Sequence, residues 1–368
     1  MTQSSVEGDS DRVENRTNLL LSLAVVGGIA AVAYADRVVV TISLAYLYIL
    51  PLALSALVHR LRTSLVLALF CMLLHDMFGP FQDVGWLHAA RNLLTLGGFF
   101  SVVLFVNQLN SKRNELAELV RRQRDELEQE IRLAAEVQQR LLPKRSLQIA
   151  GFDIAGLMYP AKTVGGDYFD YIKLPGGDLG LAIADVSGKG VAAALLMPTV
   201  QMALRMDAPS LSQTDEIARA LNRSVYHVTD DWRYITLFYS KLRVKDQRLQ
   251  YTNAGHLPPL LLRDTSREPE WLETGGTVMG LEPDVEYTSE SIELRPGDLL
   301  VLYTDGVVEA ACAHGEEYSR RRLVELVTCN RGSGAQELVE RIYEDVVTFQ
   351  GSKILRDDLT VIVLKVLR

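Results

Sequence analysis

The sequence predicts an α+β domain of mainly antiparallel strands, carried behind a long linker helix and an all-α membrane-spanning region of about four helices. Charge distribution is the first observation behind this. The 368 residues hold 38 Lys+Arg and 46 Asp+Glu, a net charge of −8. Yet residues 18–107 contain seven charges in 90 positions (Asp36, Arg37, Arg60, Arg62, Asp76, Asp83 and Arg91), and the other 278 positions contain 77. A single globular domain does not distribute charge this way. The second observation is the stretch Leu109 to Leu141, which has neither Gly nor Pro. The third is the texture after Pro143, where short apolar runs bounded by Gly, Asp and Pro mix with a few helical stretches. Residues 1–17 are thus a cytoplasmic tail, 18–108 a transmembrane domain, 109–142 a linker and 143–368 the α+β domain. The net acidity argues against a nucleic-acid partner. Three scattered cysteines, Cys71, Cys312 and Cys329, exclude a disulfide framework or a zinc site.

Asn18 to Ala35 carries no charge, and Val38 to Val58 is a second uncharged run. Each is long enough to cross ~30 Å of hydrocarbon at ~1.5 Å per residue. Ser64 to Phe81 and Asn92 to Gln108 are weaker candidates for spans three and four, since the former contains His75 and Asp76 and the latter is short. A cleaved signal peptide fits the first run poorly, because a second apolar run follows almost at once. With four spans, one side receives Arg12, Arg16, Arg60, Arg62, Lys112, Arg113, Arg121, Arg122 and Arg124, and the other only Arg37 and Arg91. Lys and Arg favour the cytoplasmic face, so both termini are expected there, in a multi-pass protein of the cell (inner) membrane. The outer loops are too short to form a ligand-binding domain. His75 and Asp76 could form an intramembrane pair, although a place at the end of a short span explains them as well.

In the linker, Val120, Leu127, Ala134 and Leu141 recur every seven residues, while the companion seam of Leu116, Gln123, Glu130 and Val137 is mixed. This predicts a long helix with an imperfect coiled-coil stripe, suited to homodimerisation; a solvated spacer helix is the alternative. A weak seam is what a signalling helix needs, because two nearly equal packings are easily biased.

Beyond Pro143, strands are expected at Phe152 to Tyr159, Phe169 to Leu174, Leu179 to Ala184, Ile235 to Val244, Leu249 to Thr252, Pro258 to Leu262, Tyr287 to Leu294, Leu299 to Tyr303 and Leu359 to Val366. Helices are expected at Val191 to Arg205, Gln213 to Val228, Arg320 to Cys329 and Ala335 to Thr348. Aspartates stand where apolar strands meet Gly-rich or polar turns: Asp167 in VGGD, Asp185 after LGLAIA, Asp305 after LLVLYT, and Asp357 with Asp358 before LTVIVL. Any one of them is readily explained as a turn residue. Together at one sheet edge they would repel one another unless divalent cations lay between them. An oxygen-only donor set selects Mg²⁺ or Mn²⁺ over zinc.

The segments VGGDYFDYIKLP, LAIADVSGKGVAAALLM, YTNAGHLPPLLL, LLVLYTDGVVEA and RDDLTVIVL, with EVQQRLLP upstream, occur in an order that resembles the SpoIIE/RsbU class of PPM-type (protein phosphatase 2C-like) serine/threonine phosphatases. The resemblance covers about residues 134–368 and leaves out the membrane region. It implies an antiparallel β-sandwich flanked by helices, with two Mn²⁺ or Mg²⁺ ions at one edge. It further implies that Asp185 bridges both ions and the nucleophilic water, and that Val186 offers its backbone carbonyl. Asp167, Asp305 and Asp357 would complete the ligands, with Asp358 as a supporting neighbour and less certain ligand. The substrate implied is a phosphorylated regulatory protein, a STAS-type anti-sigma-factor antagonist. No protein nucleophile is needed, in keeping with the absence of a GxSxG elbow.

Two departures stand out. Ser187 replaces the histidine that many eukaryotic relatives carry two residues after the bridging aspartate, so the general acid is unassigned, and His256 is read as structural. No phosphate-clamping Arg is evident. GGDYFD is not the GGDEF of cyclic-dinucleotide synthases, and SGKG lacks the spacing of a phosphate-binding P-loop. The expected function is therefore a membrane-anchored, metal-dependent protein serine/threonine phosphatase. The alternative is a metal-poor pseudophosphatase that serves as a membrane-bound binding module, against which stands the survival of every acidic ligand.

Overall fold

The computed structural model describes residues 3–39, 43–78, 85–143, 146–229, 232–264, 266 and 268–367, and the chain divides into two compact units, Met1–Glu126 and Leu127–Arg368. The first is helical: α1 (Gln3–Val38), a 3₁₀ turn at Ala45–Tyr48 leading into α2 (Ile49–Val58), α3 (Leu61–Phe78) and α4 (Trp86–Leu141). Among the described residues, three helical segments are long and apolar enough to cross a membrane: Arg16–Val38, α3, and the apolar start of α4. Their outward side chains, such as Leu20, Leu93 and Leu94, are largely uncovered by protein. Lipid contact calls for such a face.

The second expected span is different from the prediction. Residues 40–42 lie outside the described residues, and the remaining run forms only the 14-residue apolar helix Ala45–Val58. At ~1.5 Å per residue this falls short of the ~30 Å hydrocarbon layer. Pro51, which lacks an N–H, sits in the first turn of α2, where no donor is required. The runs expected to be weaker became the longer helices, and residues 79–81 of the third lie outside the described residues. The expected tail is part of α1, which begins at Gln3. His75 and Asp76 do not pair with each other. His75 Nδ1 meets Asp36 Oδ2 at 2.8 Å in the interior of this unit, and Asp76 Oδ1 meets His88 Nε2 at 3.1 Å.

The second unit is a sandwich of two six-stranded sheets. In chain order its elements are β1 (Ser146–Ile149), β2 (Phe152–Tyr159), β3 (Tyr168–Lys173), β4 (Leu179–Val186), α5 (Val191–Asp207), α6 (Thr214–Tyr226), β5 (Ile235–Arg243), β6 (Arg248–Ala254), β7 (Leu260–Leu262), β8 (Glu270–Trp271), β9 (Gly275–Gly276), β10 (Glu290–Glu293), β11 (Leu299–Tyr303), the single turn α7 (Asp305–Val308), α8 (Ser319–Cys329), α9 (Ala335–Gln350) and β12 (Leu359–Val366). One sheet runs β1-β2-β12-β11-β7-β8 and the other β10-β6-β5-β4-β3, with β9 alongside β6. All pairings are antiparallel except β6 with β9.

Strand alternation explains the layers. In β4, Leu181 and Ile183 point between the sheets to meet Phe238, Leu300, Leu302, Ile362 and Leu364, while Ala182 and Ala184 point outward under α5 and α6. In β11 and β12, Val301, Tyr303, Val361 and Val363 point the other way, under α8 and α9. Both faces of the central strands are buried, which is why these strands read as unbroken apolar runs. The small Ala182 and Ala184 let the helices approach closely, and Asp170, fully buried on β3, fastens α5 through Arg205 Nε at 2.7 Å and Nη2 at 3.1 Å.

The last turns of α4 belong to this unit. Leu142 packs against the core, and Gln201 Nε2 donates to the Leu141 carbonyl at 2.7 Å. On the far side, α7 lies so close to the start of β12 that a Cβ on Gly306 would come within 2.0 Å of the Asp358 carbonyl oxygen. Gly306→Ala should therefore lower the stability of this unit by about 1–3 kcal/mol, the usual cost of overpacking. The check is a thermal melt of the full chain in detergent micelles, and a midpoint equal to that of the parent would contradict this packing.

Candidate active site

Register brings the aspartates together. Tyr168 pairs with Ala184 in the β3–β4 hairpin, so Asp167 and Asp185, one residue further along each strand, lie opposite each other. In the other sheet Tyr303 pairs with Val361 and the Thr304 N–H donates to the Thr360 carbonyl, which sets Asp305 beside the Asp357–Asp358 turn. Side chains then stitch the two sheets. Thr304 Oγ1 and Thr360 Oγ1 both donate to Asp167 Oδ2, at 2.8 and 2.6 Å. Asp358 accepts the Ala161 N–H at 2.7 Å and the Gly166 N–H at 2.6 Å. Both of its carboxylate oxygens are thereby engaged with backbone, so its place is that of a brace for the loop carrying Asp167. A Cβ on Gly166 would lie 3.2 Å from the Val186 carbonyl oxygen, so this loop also adjoins the expected backbone ligand.

The electrostatics record crowded negative charge. Burial, followed by the charge of Asp185 and then Asp358, holds Asp167 well above the ordinary aspartate range, against the opposing hydroxyl hydrogen bonds. Burial and the charges of Asp305, Asp357 and Asp358 push Asp185 up to about 7. Asp305 rises to about 6, through burial first and then Asp357 and Glu309. Asp358 is raised by burial, despite the backbone donors of Ala161, Gly166 and Asp167. One cation enters this edge: Lys189 Nζ lies 2.5 Å from Asp357 Oδ2.

A divalent metal fits the chemistry of this donor set. The groups are carboxylates, hard oxygen donors that hold their charge with difficulty in one another's company, and hard cations relieve that difficulty. The edge is open, however. Among the described residues, no three His, Cys, Asp or Glu side chains close around one point as a finished cage.

Of the residues expected from sequence, Asp167, Asp185, Asp305, Asp357 and Asp358 act on one another here. Val120, Leu127, Ala134 and Val137 lie exposed on α4, and Leu141 is half-buried. The Ser187 hydroxyl accepts the Tyr234 N–H at 2.8 Å, which fixes its oxygen against the backbone at the end of β4. His256 is buried against Thr236 Oγ1, 2.8 Å from Nδ1, and burial pushes it down to about 4, so it is neutral. The sequence reading missed Thr304, Thr360, Lys189 and Gln138. Gln138, buried on α4, grips the loop before Asp167: its Nε2 donates to the Gly165 carbonyl at 2.7 Å, and its Oε1 accepts the Gly165 N–H at 3.1 Å. The polar Gln at position 138 inside EVQQRLLP was the available signal.

Known proteins resemble this chain in sequence and in fold. A family model described as Stage II sporulation protein E (SpoIIE) matches residues 175–367, just over half of the chain. Phosphoserine phosphatase RsbU of Bacillus subtilis is 34% identical over 242 residues, which cover 65% of this chain and 71% of that protein. Phosphoserine phosphatase RsbP of the same organism is 30% identical over 158 residues, 41% of this chain and 39% of that one. The solved SiaA-PP2C domain of Pseudomonas aeruginosa shares the fold, with a TM-score of 0.58 at 20% identity, over 66% of this chain and 98% of that domain.

The raised Asp185 gives a sign to the pH dependence. Its folded value near 7 exceeds the ordinary 3.8, so folding favours the protonated form. The associated stability is full below about pH 4 and is lost as pH rises through about 7. In EDTA, Asp185→Asn should therefore melt several degrees above the parent at pH 8, with the gap closing toward pH 4. Melting curves across that range check this, and a gap that does not widen with pH would contradict it.

Proposed function

The chain belongs to the SpoIIE family of PP2C-type serine/threonine phosphatases, and on that footing we propose that it is a membrane-anchored, Mn²⁺- or Mg²⁺-dependent enzyme acting on a phosphorylated regulatory protein. The observation that carries this reading is the meeting of Asp167 and Asp185 from one sheet with Asp305 and Asp357 from the other, pinned by the Thr304 and Thr360 hydroxyls. Asp185, central among these charges, is the proposed bridge between two ions. Asp167, Asp305, Asp357 and the Val186 carbonyl are the other proposed ligands, and Asp358 is the brace. Ions bound there would supply positive charge to the phosphoryl oxygens and acidify a water for in-line attack. The chain's own part is to hold these oxygens before substrate arrives, so that little reorganisation is left for the reaction itself. His256, buried and neutral, is not placed to protonate the leaving group, and the general acid is unassigned.

The substrate class favoured is a phosphoserine or phosphothreonine protein of the STAS-type antagonist kind, in a pathway that controls a sigma factor. Support comes from the two relatives named phosphoserine phosphatases. Three span-length helices support membrane anchoring, and the nine-to-two excess of Lys and Arg supports a cytoplasmic catalytic unit. Both termini on that face would require Ala45–Val58 to complete a crossing in company with its neighbouring residues.

We expect the full chain in detergent micelles to release phosphate from a phosphoserine protein with Mn²⁺ or Mg²⁺ and not in EDTA. Asp185→Asn and Asp305→Asn should each lower the rate at least about 100-fold. Retention of activity by Asp185→Asn would sink the assignment, and faster turnover of a small phosphoester than of the phosphoprotein would redirect the substrate class.

The exposed stripe on α4 supports a homodimer joined by this helix, since Val120, Leu127 and Val137 are each more than half exposed in a single chain. With Cys329 replaced by Ser, Val120→Cys and Leu127→Cys should cross-link between chains under mild oxidation. Asp125→Cys, on the opposite face, should not. Equal cross-linking at all three positions would argue against a defined seam.

A further inference from the structure

We propose that Lys189 is a built-in counter-cation of the catalytic edge, holding Asp357 until a divalent ion takes that carboxylate, so that loading the site and releasing Lys189 are one event. The inference rests on the reading of Asp357 as a metal ligand. It starts from how the two oxygens of Asp357 are used. Oδ1 accepts the Asp358 N–H at 3.0 Å, which leaves Oδ2 to face the edge, and Oδ2 is the atom that Lys189 Nζ holds at 2.5 Å. The same ammonium donates to the Arg356 carbonyl at 3.3 Å. A dication bound to Asp357 Oδ2 would sit within a few ångströms of this ammonium, and like charges at that distance repel strongly. The two contacts are therefore mutually exclusive.

Local backbone explains why the lysine is there. Lys189 stands between Gly188, with φ of 95°, and Gly190, with φ of 87°, both in the left-handed region that glycine adopts freely. The double turn carries the chain from the end of β4 into α5 and leaves the lysine at the edge between them. Its environment also permits release. The Lys189 side chain is 51% exposed and that of Asp357 34%, so the pair is a solvated ion pair of modest strength, within reach of displacement by a doubly charged ion. Lysine suits such a role better than arginine, being a compact point charge on a flexible stem without the fork that would grip the carboxylate through two hydrogen bonds. Freed from Asp357, the ammonium stays on the rim of the site, and the edge does not have to lose its internal positive charge to gain an external one.

Isothermal titration of Mn²⁺ into the full chain in detergent micelles tests this without reference to turnover. Lys189→Met should bind Mn²⁺ about three- to fivefold more tightly than the parent, the equivalent of one solvated ion pair removed from competition. Lys189→Arg should bind Mn²⁺ no more tightly than the parent, and more weakly if its fork grips Asp357 through two hydrogen bonds. In an Asp357→Asn background, the remaining Mn²⁺ affinity should be the same with and without Lys189→Met. Equal affinities for the parent and Lys189→Met would overturn the proposal. An equal gain from Lys189→Met in both backgrounds would also overturn it, since the lysine would then act as a general positive charge and not through Asp357. If the parent binds no Mn²⁺ at all, the metal reading of the site fails, and this inference fails with it.

Discussion

Mutual repulsion among crowded carboxylates, Asp167 buried and the others half-buried, is the constraint around which the catalytic unit is built. Asp167, Asp185, Asp305 and Asp357 would drift apart if their strands were free to do so. What prevents this is the apolar layer between the sheets, where Phe169, Ile183, Leu302 and Ile362 lock the strand ends into a shared end of the sandwich. Hydroxyl and amide donors supply the rest: two threonines from one sheet hold an aspartate of the other, and two backbone N–H groups hold Asp358. Such a site is kept against its own electrostatic preference, a pattern common where function requires like charges at close quarters.

Much of the fold was legible in the sequence because its signals are local. Runs such as LGLAIADV and LTVIVLKV are apolar on both strand faces, and the amphipathic pattern of α6 and α9 marks helices with one buried side. The short strands β1, β8 and β9 were not legible, since two to four residues give too little periodicity. In the membrane region, hydropathy alone could not see that the second apolar run would form a helix of only 14 residues.

The candidate site divides along the same line. Aspartates at strand ends can be picked out from the residues beside them. Thr304 and Thr360 cannot, because each earns meaning only from Asp167, 137 and 193 positions away. Lys189 looked like part of a glycine-rich turn until the register of two sheets brought Asp357 to its side, 168 positions further along the chain. Gln138 is a polar residue on a helix otherwise judged by its apolar stripe, and its partner Gly165 has no side chain to suggest a contact.

The unbroken run of α4 from Trp86 to Leu141 fixes a phase along the helix. Over its 56 residues it extends about 84 Å, with each residue turning the helix by roughly 100°. Inserting one residue ahead of Gln138 would turn every upstream side chain by that angle relative to the Gly165 contact. Seven residues would restore the face to within about 20° while lengthening the rod by about 10 Å. Length variation in this helix is thus tied to rotation: insertions of seven or eleven residues keep the stripe and the glutamine within about 20° of their mutual orientation, and a single-residue insertion turns one against the other by about 100°.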